Sequence, residues 1–271
     1  HFVDFEGSRV AIPFNAGNRP YEQIAFQFSC HSFYENGDIK HFEWIKKEPG
    51  EFPNFEFIMA LKDVLDKDDG AIFSFSKYEN TVLREIHGQL ERTKPKAFDY
   101  SGIMDWIDTI TEWDESPKAK VKNRMAGSRN MVDMCEIVRG YYYHPAMGGS
   151  NSIKVVLPAV LSVSSFLKEK YSKPLSFGTN LNGKIWRQDD AASGKAIDPY
   201  SLLITNFDDN IGCDVIRDGG AAMTAFGKMQ FSDISEKERN AIITSLLRYC
   251  ELDTLAMLMI YEHWRSLKAA Q

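Results

Sequence analysis

Asn36-Gly37 stands between two extended runs, residues 23–33 and 39–45. An Asn-Gly pair supplies the backbone conformation that a tight two-residue turn demands, so these runs read as one antiparallel hairpin. The first run alternates, with Ile24, Phe26, Phe28 and Cys30 on one face and Ala25, Gln27, Ser29 and His31 on the other. Phe2 to Glu6 reads as a further short strand, so three strands precede the first helix. That helix opens at Pro53 and Asn54, carries Phe57, Ile58, Leu61, Val64 and Leu65 at helical spacing, and stops at Asp68-Asp69-Gly70.

Residues 71–76 predict a short buried strand, and residues 79–90 and 103–113 two helices. Helical or mixed patterns return at 131–143, 153–160 and 164–170, whereas 172–233 is rich in Gly, Asn and Asp and reads as loop. Ser235 and Glu238 form a capping box that starts a helical region running to about Leu267, with a break near Glu251. Strand, hairpin, helix, strand, helix and then more helices is the order of an α/β chain with a mixed sheet. The strict alternation of a doubly wound fold is missing, and so is any Gly-x-Gly-x-x-Gly dinucleotide motif.

Composition excludes several classes. With 44% hydrophobic and 26% charged residues in a chain of 271, a disordered, collagen-like or disulfide-stapled protein is ruled out. Cys30, Cys135, Cys213 and Cys250 are dispersed and form no Cys-x-x-Cys pair, so reduced thiols and a cytoplasmic setting are expected. No apolar run approaches the roughly 20 residues needed to span a bilayer, and no membrane partner is expected. The chain opens His1-Phe2-Val3-Asp4, without an initiator Met or a basic leader. It is therefore expected to be a single domain, residues 1–271, cut from a longer protein with further domains; 114–130 and 172–233 look like insertions. A net charge of −6 argues against wholesale electrostatic binding of nucleic acid but leaves room for a local basic patch.

Three features could carry chemistry. Asp4 and Glu6 are two apart on a strand, which puts both carboxylates on one face about 6.5–7 Å apart. Such a pair in an apolar strand calls for water, hydrogen bonds or a cation, and oxygen ligands suit Mg²⁺ or Mn²⁺. Tyr249 and Asp253 are four apart on a helix, so a phenol and a carboxylate project together. Glu79 lies at a strand-to-helix corner, where a dipole-compensating acid is the plainer explanation.

Asp133, in the apolar run Met131 to Met134, could approach such a site or cap a helix; His144 reads as a loop histidine bonded to backbone. Lys118, Lys120, Lys122 and Arg124, with Trp106 and Trp113 nearby to stack bases, are the best candidates for tracking a phosphate backbone. Gly178 to Lys184 has the glycine and lysine spacing of a phosphate-binding loop, but Ile185 stands where Ser or Thr is needed, so that reading is rejected. No zinc-hydrolase or serine-hydrolase motif is present.

The acids occur in the order Asp-x-Glu, Glu79, Tyr-x-x-x-Asp, and this resembles the Tyr-bearing variant of the DEDD exonuclease superfamily, on the ribonuclease-H-like fold. The phrases Phe2-Val3-Asp4-Phe5-Glu6, Pro20-Tyr21-Glu22-Gln23-Ile24, Tyr142-Tyr143-His144-Pro145-Ala146-Met147 and Tyr249-Cys250-Glu251-Leu252-Asp253-Thr254-Leu255-Ala256 are similar to a bacterial family of uncharacterised domains assigned to that superfamily. The resemblance implies a mixed sheet of about five strands with an N-terminal antiparallel hairpin, flanked by helices. It implies a 3′–5′ exonuclease acting on DNA or RNA, at single-stranded 3′ ends. Asp4, Glu6 and Asp253 would hold one Mg²⁺ or Mn²⁺ ion and Asp4 would reach a second, with Tyr249 orienting the attacking water. The two ions, about 3.5–4 Å apart, would clamp the attacking and leaving oxygens. Glu79 stands where the superfamily has Asp, and it would reach the second ion directly or through water. Two alternatives follow from the same residues: a catalytically impaired module that binds nucleic acid or a partner domain, and a metal phosphodiesterase for small nucleotides.

Overall fold

A computed structural model describes residues 1–13, 15–114, 123–205, 216 and 218–269. Its strands are β1 (Phe2–Ser8), β2 (Ile24–Phe33), β3 (Ile39–Ile45), β4 (Phe73–Ser74), β5 (Glu112–Asp114), β6 (Arg124–Ala126) and β7 (Val132–Asp133). The helices of the first half are α1 (Asn54–Leu65), α2 (Tyr78–Thr93), α3 (Tyr100–Ile110) and α4 (Met134–Tyr141). The second half holds α5 (Ile153–Val163), α6 (Ser165–Tyr171), α7 (Pro199–Thr205), α8 (Gly219–Phe231) and α9 (Glu236–Ala269).

The main sheet is mixed, in the order β3-β2-β1-β4-β7, and β5 and β6 form a separate ladder. β2 runs antiparallel to β1 and β3, while β1, β4 and β7 are parallel neighbours, so β2 alone opposes the rest of the main sheet. The hairpin is present, but its turn is longer than a two-residue one: the Gly37 N–H donates to the Tyr34 carbonyl at 2.9 Å, so Glu35 and Asn36 are the central residues and Gly37 follows them at φ 88°. No helix among the described residues is long and apolar enough to cross a membrane.

Helices cover both faces of the sheet. Val3, Phe5, Phe28 and Cys30 pack with α1, α2 and α3 through Phe57, Leu61, Leu83 and Ile107. Phe2, Ile24 and Phe26 pack on the other face with α5, α8 and α9 through Leu157, Phe226 and Leu255. The single apolar face expected for β2 is therefore split. Glu6 pairs with Gln27 but Gly7 pairs with Ala25, which leaves Phe26 as the extra residue of a β-bulge. On one side of the bulge Phe26 stacks on Phe226 of α8 at 4.0 Å; beyond it Phe28 turns to α1.

Other expectations shift for local reasons. The strand expected over 71–76 is confined to Phe73–Ser74. The helix expected over 103–113 ends at Ile110, because Thr111 is extended and Trp113 joins β5 opposite Met125. Residues 172–233 contain α7 and α8, with Asp218 capping α8 by accepting the Ala221 N–H at 2.9 Å. Ser235 accepts the Glu238 N–H at 3.2 Å, the expected start of the C-terminal helix. That helix runs unbroken through Glu251. The buried Glu251 carboxylate interrupts the apolar pattern because it accepts N–H groups of Thr179 at 3.0 Å and Asn180 at 2.7 Å. The loop after Gly178 thus cradles a carboxylate of its own chain.

Candidate metal centre

α9 is placed against β1 by a polar row on the neighbouring strand. Gln27 donates to the Leu246 carbonyl at 2.9 Å, and Ser29 Oγ and His31 Nδ1 each lie 2.8 Å from Thr254 Oγ1. Gln27 and Ser29 are the cross-strand partners of Glu6 and Asp4, so the bonds that dock α9 also set its register against the two acids. Asp253, one residue before Thr254, is carried to them. One carboxylate oxygen from each of Asp4, Glu6 and Asp253 lies within 4.8 Å of the others.

The surroundings are built from three more helices. Cys250 Sγ–H donates to the Asp4 carboxylate at 3.3 Å. Tyr200 of α7 donates its hydroxyl to Asp253 Oδ1. Lys154 of α5 donates from Nζ to the Tyr249 hydroxyl at 3.0 Å, with the ammonium 5.0 Å and 5.1 Å from the ring centres of Tyr249 and Tyr200. The start of α8 closes the side near Glu6, where a Cβ added at Gly219 would come 3.8 Å from Oε2.

Crowding acids away from water disfavours their charged forms. Burial, then the charges of Asp253 and Glu6, push Asp4 well above the usual carboxylate range. Burial and the charge of Asp253 push Glu6 to about 8, Lys154 opposing. Asp253 rises less, to about 6, because burial is countered by hydrogen bonds from Tyr200 and Tyr249 and by the charge of Lys154. Burial, followed by the charge of Asp253, raises the Tyr249 phenol, which keeps its proton. Burying an ion costs several kcal/mol unless it is matched by an opposite charge. Among the described residues three carboxylates face one lysine and are under-compensated, and an all-oxygen donor set of this kind fits a hard divalent cation such as Mg²⁺ or Mn²⁺.

Asp4, Glu6, Tyr249 and Asp253 are thus brought together as their spacings suggest. Glu79 sits in the first turn of α2, 3% exposed, outside the three-acid group; its Oε2 is buried and has no hydrogen-bond partner among the described residues. Burial raises Glu79 to about 8, while its own N–H and that of Phe5 favour the charged form and Asp133 and Asp253 oppose it. Asp133 caps α4, accepting the Cys135 N–H at 2.8 Å, and acts on Glu79 only through its charge. His144 Nδ1 accepts the Ala146 N–H at 3.2 Å, the role of a loop histidine.

Lys118, Lys120 and Lys122 lie outside the described residues. Arg124 pairs with Glu112 across the small ladder. Trp106 offers no face for base stacking: it is buried and donates its indole N–H to Asp66 at 2.6 Å. Arg84 covers Trp113 at 4.9 Å. A second group, His41, Glu43 and Glu251, also gathers within 4.8 Å. Its atoms are already committed, His41 to Ser29 and Thr179 and Glu251 to Thr179 and Asn180, so it anchors a loop.

Sequence reasoning misses Lys154 and Tyr200. Lys154 leaves a trace, as the one charged residue in the apolar helix Ile153–Val163. Tyr200 leaves none, because nothing in a Gly- and Asp-rich stretch marks which tyrosine will fold inward.

Residues 1–152 match the family model described as "Domain of unknown function (DUF2779)". The chain belongs to the DUF2779 family. No curated protein and no solved structure matches it. The DUF2779 match takes in Asp4, Glu6, Glu79, Asp133 and His144 and ends two residues before Lys154. The three-acid group of this DUF2779 chain, which could hold a cation, therefore joins β1, inside the matched part, to α9, outside it.

Proposed function

We propose that this chain is a metal-dependent 3′–5′ exonuclease of ribonuclease-H-like architecture, hydrolysing phosphodiester bonds of DNA or RNA at single-stranded 3′ ends. One observation carries the reading: Asp4 and Glu6 on the first strand converge with Asp253 on the last helix, and Tyr249 stands one turn before Asp253. The mixed five-stranded sheet with its N-terminal antiparallel hairpin is the architecture which the resemblance to the DEDD superfamily implies.

In this reading Asp4, Glu6 and Asp253 would hold a divalent cation, and Asp4 and Glu79 would be the residues to reach a second. Bound cations of this kind stabilise charge on a phosphate and make water a better nucleophile near neutral pH. Asp253 keeps the Tyr200 hydroxyl as a donor, so Tyr249, which keeps its proton, can turn it from Asp253 to the attacking water. A second reading has its own observation. Glu79 stands outside the three-acid group, which favours a module that binds a single cation and nucleic acid without cutting it.

A 5′-labelled single strand with Mn²⁺ separates the two. The exonuclease gives a ladder that shortens from the 3′ end and stops when that end is blocked by an inverted nucleotide. Retention of the strand on the protein without a ladder selects the module.

A further inference from the structure

Lys154 approaches the candidate centre from α5 and, among the described residues, is the cation that opposes the charges of Glu6 and Asp253. The ammonium donates to the Tyr249 hydroxyl oxygen at 3.0 Å and packs on the faces of Tyr249 and Tyr200. An ammonium has three donors and no acceptor, and a phenol has one proton and one acceptor oxygen. With Lys154 on that oxygen, Tyr249 can face the acids only as a donor. Tyr200 contributes in parallel by donating to Asp253.

We propose that Lys154 is a positioning residue that works through Tyr249: it holds the phenol as a donor whose one proton, on Asp253 in this structure, is turned to the water that attacks the phosphodiester. This rests on the exonuclease reading of the site. Three consequences distinguish it from a lysine that merely fills space. Loss of Lys154 slows turnover only while Tyr249 has its hydroxyl. Removing a positive charge beside carboxylates strengthens their attraction for a divalent cation, so turnover and cation affinity move in opposite directions. Arginine, which keeps both charge and donor, restores part of the rate.

The test uses the whole chain and a double-mutant cycle, Lys154→Met, Tyr249→Phe and the pair, beside Lys154→Arg. Two readouts are taken: kcat on a labelled single strand, and Mn²⁺ affinity by calorimetry at pH 8. Lys154→Met is expected to lower kcat by about tenfold, the scale of one lost orienting hydrogen bond, and by less than about twofold in the Tyr249→Phe background. The same variant is expected to bind Mn²⁺ roughly threefold or more tightly. An equal loss of kcat in both backgrounds overturns the proposal, as does weaker Mn²⁺ binding that falls together with kcat. Native protein that neither binds Mn²⁺ nor cuts overturns the exonuclease reading and this inference with it. Native protein that cuts, with Lys154→Met unchanged, overturns the inference alone.

Discussion

Asp4, Glu6 and Asp253 crowd three carboxyl groups between β1 and α9, and each is pushed toward its protonated form. Neutralising one of them relieves repulsion and removes a cation ligand together. Asp253→Asn is expected to raise the metal-free melting temperature by a few degrees, as about 1 kcal/mol of relief would do in a chain of this size. It is also expected to abolish cleavage, whereas Tyr249→Phe lowers kcat by about 10- to 100-fold, the range of one orienting donor. Scanning calorimetry with EDTA and a cleavage assay check the pair; a destabilised Asp253→Asn would contradict the crowding. Glu43 gives a pH test away from this centre. Burial and the charge of Glu251 raise it from its ordinary 4.5 to about 7, against the hydrogen bond from Asn180. The folded state then holds this proton more tightly than the unfolded chain. Stability from Glu43 is full below pH 4.5 and is lost as pH rises through 7. Glu43→Gln is expected to be neutral near pH 4.5 and stabilising by roughly 1 kcal/mol at pH 8, after discounting for partial exposure. Equal melting shifts at both pH values would count against the raised carboxyl.

At the scale of elements, the site depends on the bulge that interrupts the pairing of β1 with β2. Gly7 follows Glu6 there, and a Cβ at this position would lie 2.4 Å from Gln23 Nε2 and Tyr78 Oη and 2.7 Å from the Ile24 carbonyl oxygen. The carbonyl cannot swing aside as a side chain can. Gly7→Ala is expected to cost about 1–3 kcal/mol, the usual penalty of overpacking, and to weaken Mn²⁺ binding by displacing Glu6. Unfolding curves and calorimetry would show both; a variant with native stability would mean that the strand absorbs the methyl. The same bulge marks how far the sequence could be read. Asp4 with Glu6 and Tyr249 with Asp253 are legible because periods of two and of four residues place each pair on a shared face. The packing of β2 is not, since one extra residue reverses the faces on either side of Phe26. Glu251 reads as a break in α9 for a related reason: local pattern registers a charge among apolar residues but not the loop whose N–H groups meet it.

Across the whole molecule, the candidate centre is assembled from distant parts of the chain. β1 supplies two acids, α5 the lysine, α7 one tyrosine, and α9 the second tyrosine and the third acid. Short-range spacing reveals the members that share an element. Lys154 and Tyr200 reach the centre only through the packing of α5 and α7 on α9, which no local pattern encodes. The hairpin and the order of strands and early helices are legible because turn chemistry and periodicity are local properties; the placement of α7 and α8 is not. The most direct measurement is cleavage of 5′-labelled single-stranded DNA and RNA with Mg²⁺, Mn²⁺ or EDTA, beside the double variant Asp4→Ala/Asp253→Ala. A ladder shortening from the 3′ end with metal, absent with EDTA and in the variant, is the expected result. No cleavage of either polymer with any metal, or equal cleavage by the folded double variant, would contradict the assignment of the site.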